Sequence, residues 1–581
     1  MTVSPVDLAA EFPPGSRERW RELALGVLRK SGFEGGDPED ALSSRTYDGI
    51  EIAPLYDRLP AAPRVLRPGT GWDVRQRHAH PDPAVTREAI QADLENGVTS
   101  IWLDLTSLDP AALPAVLDGV YLDLAPVILD AGPRTEQAAA IFLELAAGTA
   151  LAGGNLGAGP LDPGLAELVR RCVAEQPAVL AVTVDALPYH DAGAGDAMEL
   201  GCSIAAGVAG LRALTDAGIS AEQAFGQLEF RYAATADQFL TIAKFRAARR
   251  LWARVAEVCG VPGAVQRQHA VTSSAMMTAR DPWVNMLRTT LACFGAGVGG
   301  ADAVTVQPFD AVLGLPDGFA RRIARNTQSL LVEEAGVARV SDPAGGSWYV
   351  ENLTAALAER AWSWFQEIEH AGGLGAASET LIPERLAGTR EARARDLARR
   401  KSPITGVSEF PNLTERAVVR EPGPGLPASP GRVRYAAEFE ALRDQADAQP
   451  RRPLVFLATI GPVAVHTARA SFAANLFAAG GVATVTSGPG VDPAAMAEAF
   501  RDAGTPVACI CSSDRLYGEH AEAVAAALRA AGARRIWLAG KGEYAGVDGT
   551  IRAGGDALDV LGKTFADLGI DVKGETPDEH S

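Results

Sequence analysis

Apolar and polar positions alternate in a way that divides the chain into short strands and amphipathic helices. Between about Ile101 and Asp342, short apolar runs recur, and stretches of helical periodicity separate most of them. Eight strands with helical crossovers are typical of a (β/α)8 TIM barrel, although a doubly wound sheet fits the pattern nearly as well. The predicted strands are Ile101–Leu105, Pro126–Asp130, Thr149–Gly153, Val179–Asp185, Gln227–Tyr232, Ala264–His269, Ala303–Pro308 and Val337–Ser341. The predicted helices between them are Thr135–Gly148, Leu165–Glu175, Ala236–Val258 and Asp281–Phe294.

A second βα alternation follows a Pro- and Gly-rich linker at about Ser402–Pro430 and fills Pro453–Ser581. It predicts a flavodoxin-like parallel sheet, with strands at Leu454–Thr459, Val482–Ser487, Pro506–Cys511 and Arg535–Ala539. The expected division of the chain is an arm at 1–45, a barrel at 46–401, a linker at 402–452 and a flavodoxin-like domain at 453–581.

The arm contains one predicted amphipathic helix, at about Arg17–Ser31. A single helix cannot bury its own apolar face, so this helix docks either on its own chain or on another one. The pattern alone does not decide between the two.

The stretch Arg321–Glu351 combines a basic helix, a short β-branched strand at Val337–Val340 and a Gly-rich loop at Asp342–Gly346. A Gly-rich loop at the C-terminal end of a barrel strand lies where such barrels build their sites. The alternative is an ordinary surface turn.

Composition narrows the function classes. The chain has 581 residues, 47% of them hydrophobic, and this length requires at least two cores. The net charge of −18 argues against non-specific nucleic-acid binding and against an anionic membrane surface. The six cysteines are scattered without metal spacing, and no apolar run reaches membrane-spanning length, so we expect a cytoplasmic protein with reduced thiols. A hydrolase is disfavoured because the chain lacks a GxSxG motif and a metal triad.

Four long motifs resemble the methylmalonyl-CoA mutase family, in the same order as in that family. They are Thr46–Tyr56 (TYDGIEIAPLY), Lys244–Val255 (KFRAARRLWARV), Ala324–Gln328 (ARNTQ) and Ser341–Glu351 (SDPAGGSWYVE). The resemblance implies a barrel for a CoA substrate followed by a cobalamin domain. Departures at the chemical positions point more narrowly to the small, non-catalytic subunit of the heterodimeric enzyme.

In the catalytic members of that family, a His ligates cobalt and the motif around it reads Lys-x3-Asp-x-His-x2-Gly. His466 is in register with this ligand. However, Ile460 stands at the Lys position, Ala464 at the Asp position and Arg469 at the Gly position. An apolar residue cannot orient the imidazole as the Asp does. The resemblance therefore implies a degenerate cobalamin site at His466, and the alternative is an ordinary histidine near a helix N-terminus.

Two later loops of the cobalamin domain also bear on the cofactor. Ser512 and Ser513 match the small hydroxyl residues that follow the third strand in the family, and they are candidate cofactor contacts. After the fourth strand, Gly540-Lys541-Gly542 replaces the family's Gly-Gly. We expect the slot for the nucleotide tail of the cofactor to be narrowed there or occupied by Lys541.

The barrel departs from the family in a similar way. The Tyr-His pair that lines the radical site reads Leu187-Pro188, and Tyr189-His190 would replace it only if the loop shifted by two residues. The family's Arg-Gln-Tyr reads Arg75-Gln76-Arg77, and no clear counterpart of the carboxylate-binding Arg is present. Replacements at several catalytic and substrate-binding positions at once fit a loss of catalytic function better than a change of substrate specificity.

Three residues persist as candidate substrate contacts: Arg75, Arg267 and His269. The sequence places the last two at the end of the sixth predicted strand, and the alternative is that such charges only hold the barrel rim. Three carboxylates fall at strand C-termini without His or Glu at metal-ligand spacing, so no metal site is expected: Asp104, Asp130 and Asp185.

Two functional hypotheses follow from the resemblance. In the first, the chain has no catalytic residues of its own and supports the assembly of a large catalytic subunit, which holds the adenosylcobalamin and the acyl-CoA and which the arm embraces. In the second, the chain is itself a cobalamin-dependent acyl-CoA mutase with an altered substrate.

Overall fold

Eight parallel strands close into a barrel, as the sequence predicted. The computed structural model describes residues 15–60, 64–67, 69 and 71–570. The barrel closes where β10 pairs with β3, with Ala303 opposite Asp73 and Val304 opposite Val74. The barrel strands are β3 (Asp73–His78), β4 (Ser100–Asp104), β5 (Val127–Asp130), β6 (Gly154–Ala158), β7 (Val179–Asp185), β8 (Leu228–Ala234), β9 (Arg267–Thr272) and β10 (Ala303–Thr305). A short antiparallel pair precedes them, β1 (Ser44–Arg45) and β2 (Glu51–Ile52).

Helices surround the barrel and follow many of its strands, and local sequence signals set several of their starts. Asp82 caps the third helix by accepting a 2.7 Å hydrogen bond from the Ala84 amide, and Pro83 occupies the first helical position. The helices up to the linker are α1 (Arg17–Lys30), α2 (Pro38–Leu42), α3 (Pro83–Leu94), α4 (Leu113–Val116), α5 (Thr135–Leu145), α6 (Leu165–Glu175), α7 (Leu187–Asp191), α8 (Asp196–Asp216), α9 (Ala221–Gly226), α10 (Gln238–Val258), α11 (Val284–Gly299), α12 (Gly318–Ser329), α13 (Trp348–His370), α14 (Leu374–Glu379) and α15 (Leu381–Ala398).

The order of the strands differs from the prediction at both ends of the barrel. The first strand is Asp73–His78, which the pattern missed because four of its six residues are charged or amide-bearing. The last predicted strand, Val337–Ser341, is wrong: Val337–Arg339 forms a 3-10 turn. The strand expected at Thr149–Gly153 begins later, at Gly154. Polar side chains that point into the barrel interior conceal a strand from a search for apolar runs.

The Gly-rich loop at Asp342–Gly346 consequently lies at the opposite face from the one predicted. Ala338, just before the loop, lies 3.7 Å from the point where a Cβ on Gly71 would sit, and Gly71 precedes β3. The loop also shares a cavity with Gly299 and Gly300, which precede β10. It therefore belongs to the N-terminal face of the barrel, where residues support the fold and do not form sites.

Residues of the family-like motifs form ion pairs and hydrogen bonds in the layer of helices and loops around the barrel. Arg246 of α10 donates to both carboxylate oxygens of Asp342, at 2.9 and 3.1 Å, and to Glu351 at 2.9 Å. Asp48 accepts hydrogen bonds from the backbone amides of Ala197 and Met198 at the start of α8. These residues hold distant segments together, so the motifs in which they lie are scaffold elements.

A second, parallel sheet forms the C-terminal part of the chain. Its strand order, β12-β11-β13-β14-β15, is the flavodoxin-like order and confirms the prediction. The strands are β11 (Leu454–Thr459), β12 (Ala483–Thr486), β13 (Val507–Cys511), β14 (Arg535–Ala539) and β15 (Gly549–Ile551). The helices are α16 (Ala437–Asp447), α17 (Val463–Ala479), α18 (Pro493–Ala503), α19 (Asp514–Ala530) and α20 (Ala557–Asp567).

Two helices differ in how much of their apolar surface is covered. α8 is long and apolar enough to cross a membrane, but 78% of its most apolar 18-residue stretch is buried inside the fold. α1, which confirms the predicted arm helix, buries none of its residues, and the side chains of Leu23 and Val27 are 56% and 65% exposed. α1 is held to α2 by ion pairs between Arg17 and Glu39. The described part of the chain therefore leaves the apolar face of α1 open.

We expect Arg246→Met to destabilise the protein by about 3 kcal/mol, because it leaves the partly buried carboxylate of Asp342 without its partner. The free energy of unfolding in urea measures this change. Arg254→Met, on the same helix, removes a pair with Glu257 in which both side chains are more than half exposed, and should cost less than about 1 kcal/mol. Equal losses in the two variants would contradict the scaffold role of Arg246.

Candidate functional site

The middle of the barrel is built around one buried indole. Trp102 of β4 is fully buried, and the guanidinium of Arg231 lies 4.3 Å from its ring centroid. The guanidinium of Arg77 lies 5.7 Å from the same centroid, and the His269 ring packs edge-on at 5.3 Å. Cation–π and edge-to-face contacts of this kind fix all four side chains. Sequence reasoning missed Trp102, because a strand buried on both faces gives no signal of which side chains point inward.

Carboxylates at the C-terminal strand ends neutralise these guanidinium groups. Arg231 pairs with Asp130 at 3.0 Å and with Asp185 at 3.1 Å. Arg77 pairs with Asp104 at 2.5 Å. Burial raises the pKa of Asp185, and the nearby Arg231 opposes that shift. The three carboxylates thus lie at the strand ends, as predicted, and each is an ion-pair partner of an arginine.

Arg75 is bound within the N-terminal layer of the barrel. Its guanidinium lies 3.0 Å from Glu229 and 3.3 Å from Asp73, and it donates to the Ser100 hydroxyl at 3.1 Å. Asn155 also donates to Glu229, at 3.4 Å. The donors of Arg75 are therefore directed to residues of its own chain.

The other two candidate substrate contacts lie far from where the sequence placed them along their strand. β9 begins at Arg267, so this residue lies at the start of the strand and is exposed at the N-terminal face, contrary to the prediction that it lies at the strand's end. His269 lies inside the barrel, and its Nε2 is 2.8 Å from the Thr305 hydroxyl. Burial, together with Arg75 and Arg231, holds the pKa of His269 well below its usual range, so the ring is neutral. Contact of these three residues with a substrate stays a prediction.

Of the Tyr189-His190 pair, His190 takes part in a buried network beside the barrel mouth, and Tyr189 packs against apolar clusters. His190 Nε2 lies 2.6 Å from the Ser273 hydroxyl, and its Nδ1 lies 3.6 Å from Glu199. Lys244 of α10 binds Glu199 at 2.8 Å, and both side chains are fully buried. Leu187 belongs instead to the apolar cluster around Trp102. Two signals in the sequence pointed to this network: Lys244 begins one of the family-like motifs, and His190 belongs to the Tyr189-His190 pair.

In the C-terminal sheet, His466 lies in the first turn of α17 and is only 7% exposed. Its Nδ1 is 3.1 Å from the carbonyl oxygen of Gly461. The imidazole is therefore held by its own backbone, in the place where the family positions its ring with a carboxylate.

Arg469 fills the edge of this sheet where its strands end. Its guanidinium binds Asp514 at 2.6 Å and lies 5.0 Å from the centroid of the Tyr517 ring. A Cβ on Gly540 would come within 2.8 Å of Arg469. Lys541 is exposed, and Arg469 and Tyr517 are the side chains that lie close to Gly540, so narrowing of the slot stays a prediction.

The two serines lie at the same edge and bind within the chain. The Ser512 hydroxyl donates to the Ile460 carbonyl at 2.8 Å, and its amide donates to the Tyr517 hydroxyl at 2.7 Å. The Tyr517 hydroxyl in turn donates to the Ala539 carbonyl at 2.6 Å. Ser513 caps α19. The guanidinium of Arg469 and the phenol of Tyr517 lie between the loops at this edge. A cofactor role of His466, Ser512 and Ser513 stays a prediction.

Comparisons with known proteins agree with the motifs. A family model described as methylmalonyl-CoA mutase matches residues 163–454. The chain is 56% identical to the methylmalonyl-CoA mutase small subunit of Streptomyces virginiae, over 98% of this chain and 100% of that protein. It is 38% identical to the small subunit of Propionibacterium freudenreichii subsp. shermanii, over 98% and 97% of the two chains. A methylmalonyl-CoA mutase of Cereibacter sphaeroides is 32% identical over 49% of this chain and 41% of its own length.

We expect His269→Gln to flatten the loss of stability in mild acid. The folded chain keeps this ring neutral, whereas the unfolded chain binds a proton below about pH 6.5. Stability must therefore fall as the pH falls, by up to about 1.4 kcal/mol per pH unit from this one group. Unfolding in urea at several values between pH 7 and about pH 5 measures the slope for both proteins. Identical slopes would mean that His269 binds its proton as readily in the folded state as in the unfolded state.

Proposed function

This chain belongs to the methylmalonyl-CoA mutase family, and from that premise we propose that it is the small subunit of a heterodimeric, adenosylcobalamin-dependent methylmalonyl-CoA mutase. That enzyme interconverts methylmalonyl-CoA and succinyl-CoA. The small subunit itself is non-catalytic and is needed to assemble and stabilise the large catalytic subunit. We place this complex in the cytoplasm.

The observation that carries this proposal is that the chain's own side chains occupy both places where the family performs its chemistry. Within the barrel, Arg75, Arg77 and Arg231 are paired with carboxylates of the barrel strands. At the sheet edge, Arg469 and Tyr517 fill the space between the loops. Arg75 and Arg77 cannot also bind a substrate carboxylate without breaking their pairs, whereas Nε and Nη2 of Arg231 have no hydrogen-bond partner among the described residues.

The open face of α1 supports a role in assembly. A helix with apolar side chains that cover nothing on its own chain needs another surface. The names of the relatives, which are small subunits, suggest a large subunit as the owner of that surface. We therefore propose that residues 1–45 form an arm on the partner, followed by a barrel at 46–401, a linker at 402–452 and a degenerate cobalamin-type domain at 453–581. The helix at 437–447 lies inside that linker and packs against the second sheet.

The cofactor follows from the same reasoning. The adenosylcobalamin of the complex is held by the partner subunit, together with the acyl-CoA, because the side chains of Arg469 and Tyr517 stand between the loops of the sheet edge. Cofactor and substrate are thus assigned to the large subunit, and a supporting role to this chain.

We expect one corrin per heterodimer. The chain is co-expressed with a large subunit, the purified complex is weighed by native mass spectrometry, and cobalamin is counted from its absorbance. The small subunit alone, mixed with adenosylcobalamin and passed through a desalting column, should retain none. Retention of corrin by this chain, with a base-off spectrum that His466→Ala abolishes, would support the second hypothesis, a catalytic chain with an altered substrate.

We also expect the double variant Leu23→Asp, Val27→Asp to weaken the 1:1 complex by roughly tenfold or more, since charged side chains would enter an apolar contact. The melting temperature of the isolated chain should not change, because both side chains are more than half exposed. Leu161→Asp is the matched control: Leu161 is also 56% exposed, but lies on the loop before α6. Equal weakening by the control, or none by the double variant, would refute a partner contact through α1.

A further inference from the structure

Residues 420–435, part of the expected linker, cross the C-terminal face of the barrel, and we call this segment the strap. At one end, Arg420 binds the fully buried carboxylate of Asp310 and also Asp317, the latter at 3.0 Å. The Leu315 amide donates to the Glu421 carbonyl at 2.9 Å, so the strap pairs briefly with the loop after β10. This end is anchored on the last barrel strand.

The centre of the strap is held from inside the barrel. Arg77 points inward from β3, beside Asp104, and its two terminal nitrogens donate to three successive carbonyl oxygens. The three bonds are 3.4 Å to Pro424, 2.9 Å to Gly425 and 3.2 Å to Leu426. The planar fork of a guanidinium suits such a row of acceptors. One side chain therefore joins the interior ion pairs to the segment above them.

The strap fits so closely that one position requires glycine. A Cβ on Gly425 would lie 1.9 Å from the Gly314 carbonyl oxygen and 2.1 Å from that of Ala311. Pro424 and Gly425 also line the cavity that remains at this end of the barrel, together with Gln76 and His78. That cavity has a volume of about 40 Å³, which is room for water only. Among the described residues, the amide atoms of the Gln76 side chain have no hydrogen-bond partner, so ordered water suits this cavity.

The far end of the strap is anchored on the opposite side of the mouth. Arg432 pairs with Asp191, which follows β7, at 3.0 Å, and the Val433 amide donates to the Asp191 carbonyl at 2.7 Å. The Tyr435 amide donates to the Ala275 carbonyl, after β9, at 2.9 Å. The segment thus runs from the loop of the eighth barrel strand to the loops of the fifth and seventh.

We infer that the strap is a built-in closure of the barrel, which occupies the C-terminal mouth in place of a ligand and is clamped by Arg77 from below. This inference deepens the proposed function and rests on it, because a closed barrel can support a partner without admitting a CoA thioester. No ligand larger than water enters from this side while Arg77 holds the three carbonyl groups.

Hydrogen–deuterium exchange by mass spectrometry tests the closure on the full chain in complex with its large subunit. The masses of the peptides distinguish the two subunits of the complex. Peptides across 420–436 should exchange slowly in the wild type. Arg77→Lys keeps a positive charge beside Asp104 but cannot bond three carbonyl groups at once, and should speed their exchange about tenfold. Gly425→Ala displaces the strap without touching the barrel interior and should do the same. Peptides of β13 should not change in either variant.

Coenzyme A is the probe for the mouth. At millimolar concentration it should leave the exchange of the 420–436 peptides unchanged. Rapid exchange of these peptides in the wild type, no acceleration in both variants, or a shift on adding coenzyme A would each overturn the closure. The proposed function has a separate test: a chain that retains corrin but has a slow-exchanging strap would refute the non-catalytic role alone, and a corrin-free chain with a fast-exchanging strap would refute the closure alone.

Discussion

A buried guanidinium must be paired, and the interior of this barrel is organised by that requirement. Arg75, Arg77 and Arg231 all point inward, where an unpaired charge would be strongly unfavourable. Each finds a carboxylate on a neighbouring or facing strand, and Trp102 supplies an aromatic surface to two of them. The result is a core that is polar and filled.

Buried cations are also paired with carboxylates in the layer of helices around the barrel. Lys244 and Arg246 lie two residues apart on α10 and bind carboxylates from two different segments, at Glu199 and Asp342. Burial acts to lower the pKa of Lys244, but Glu199 and Asp196 raise it further than burial lowers it, so the ammonium stays charged. These residues carry the family-like motifs of the sequence. Their persistence beside altered chemical positions is explained if the motifs preserve the framework that a partner subunit recognises.

The C-terminal sheet also contains an arginine that is held by a carboxylate and an aromatic ring. Arg469 stands where the family has glycine, and it is stabilised by Asp514 and by the face of Tyr517. Tyr517 in turn ties the ends of β13 and β14 together through its hydroxyl. A guanidinium and a phenol thus complete the edge of the sheet that the resembled family leaves for a cofactor. Both domains share this feature: arginine side chains are held by carboxylates and by aromatic faces of the chain itself.

The sequence by itself determined the two α/β domains, the arm helix and the identity of the residues at the altered positions. These follow from local periodicity, from N-caps and from the order of motifs, all of which are properties of neighbouring residues. It missed the strand at Asp73–His78 and placed a false one at Val337–Ser341, because inward polar side chains resemble a loop and a β-branched turn resembles a strand.

Only the tertiary structure decided which charges face each other. Arg77 meets the carbonyl groups of residues 424–426 across almost 350 positions of chain, and no local pattern predicts that contact. The physical reason is that pairing inside a closed barrel depends on strand register and on the depth of each side chain, which are set by the whole fold. The sequence could indicate which positions depart from the resembled family, and the structure decided what the residues at those positions contact.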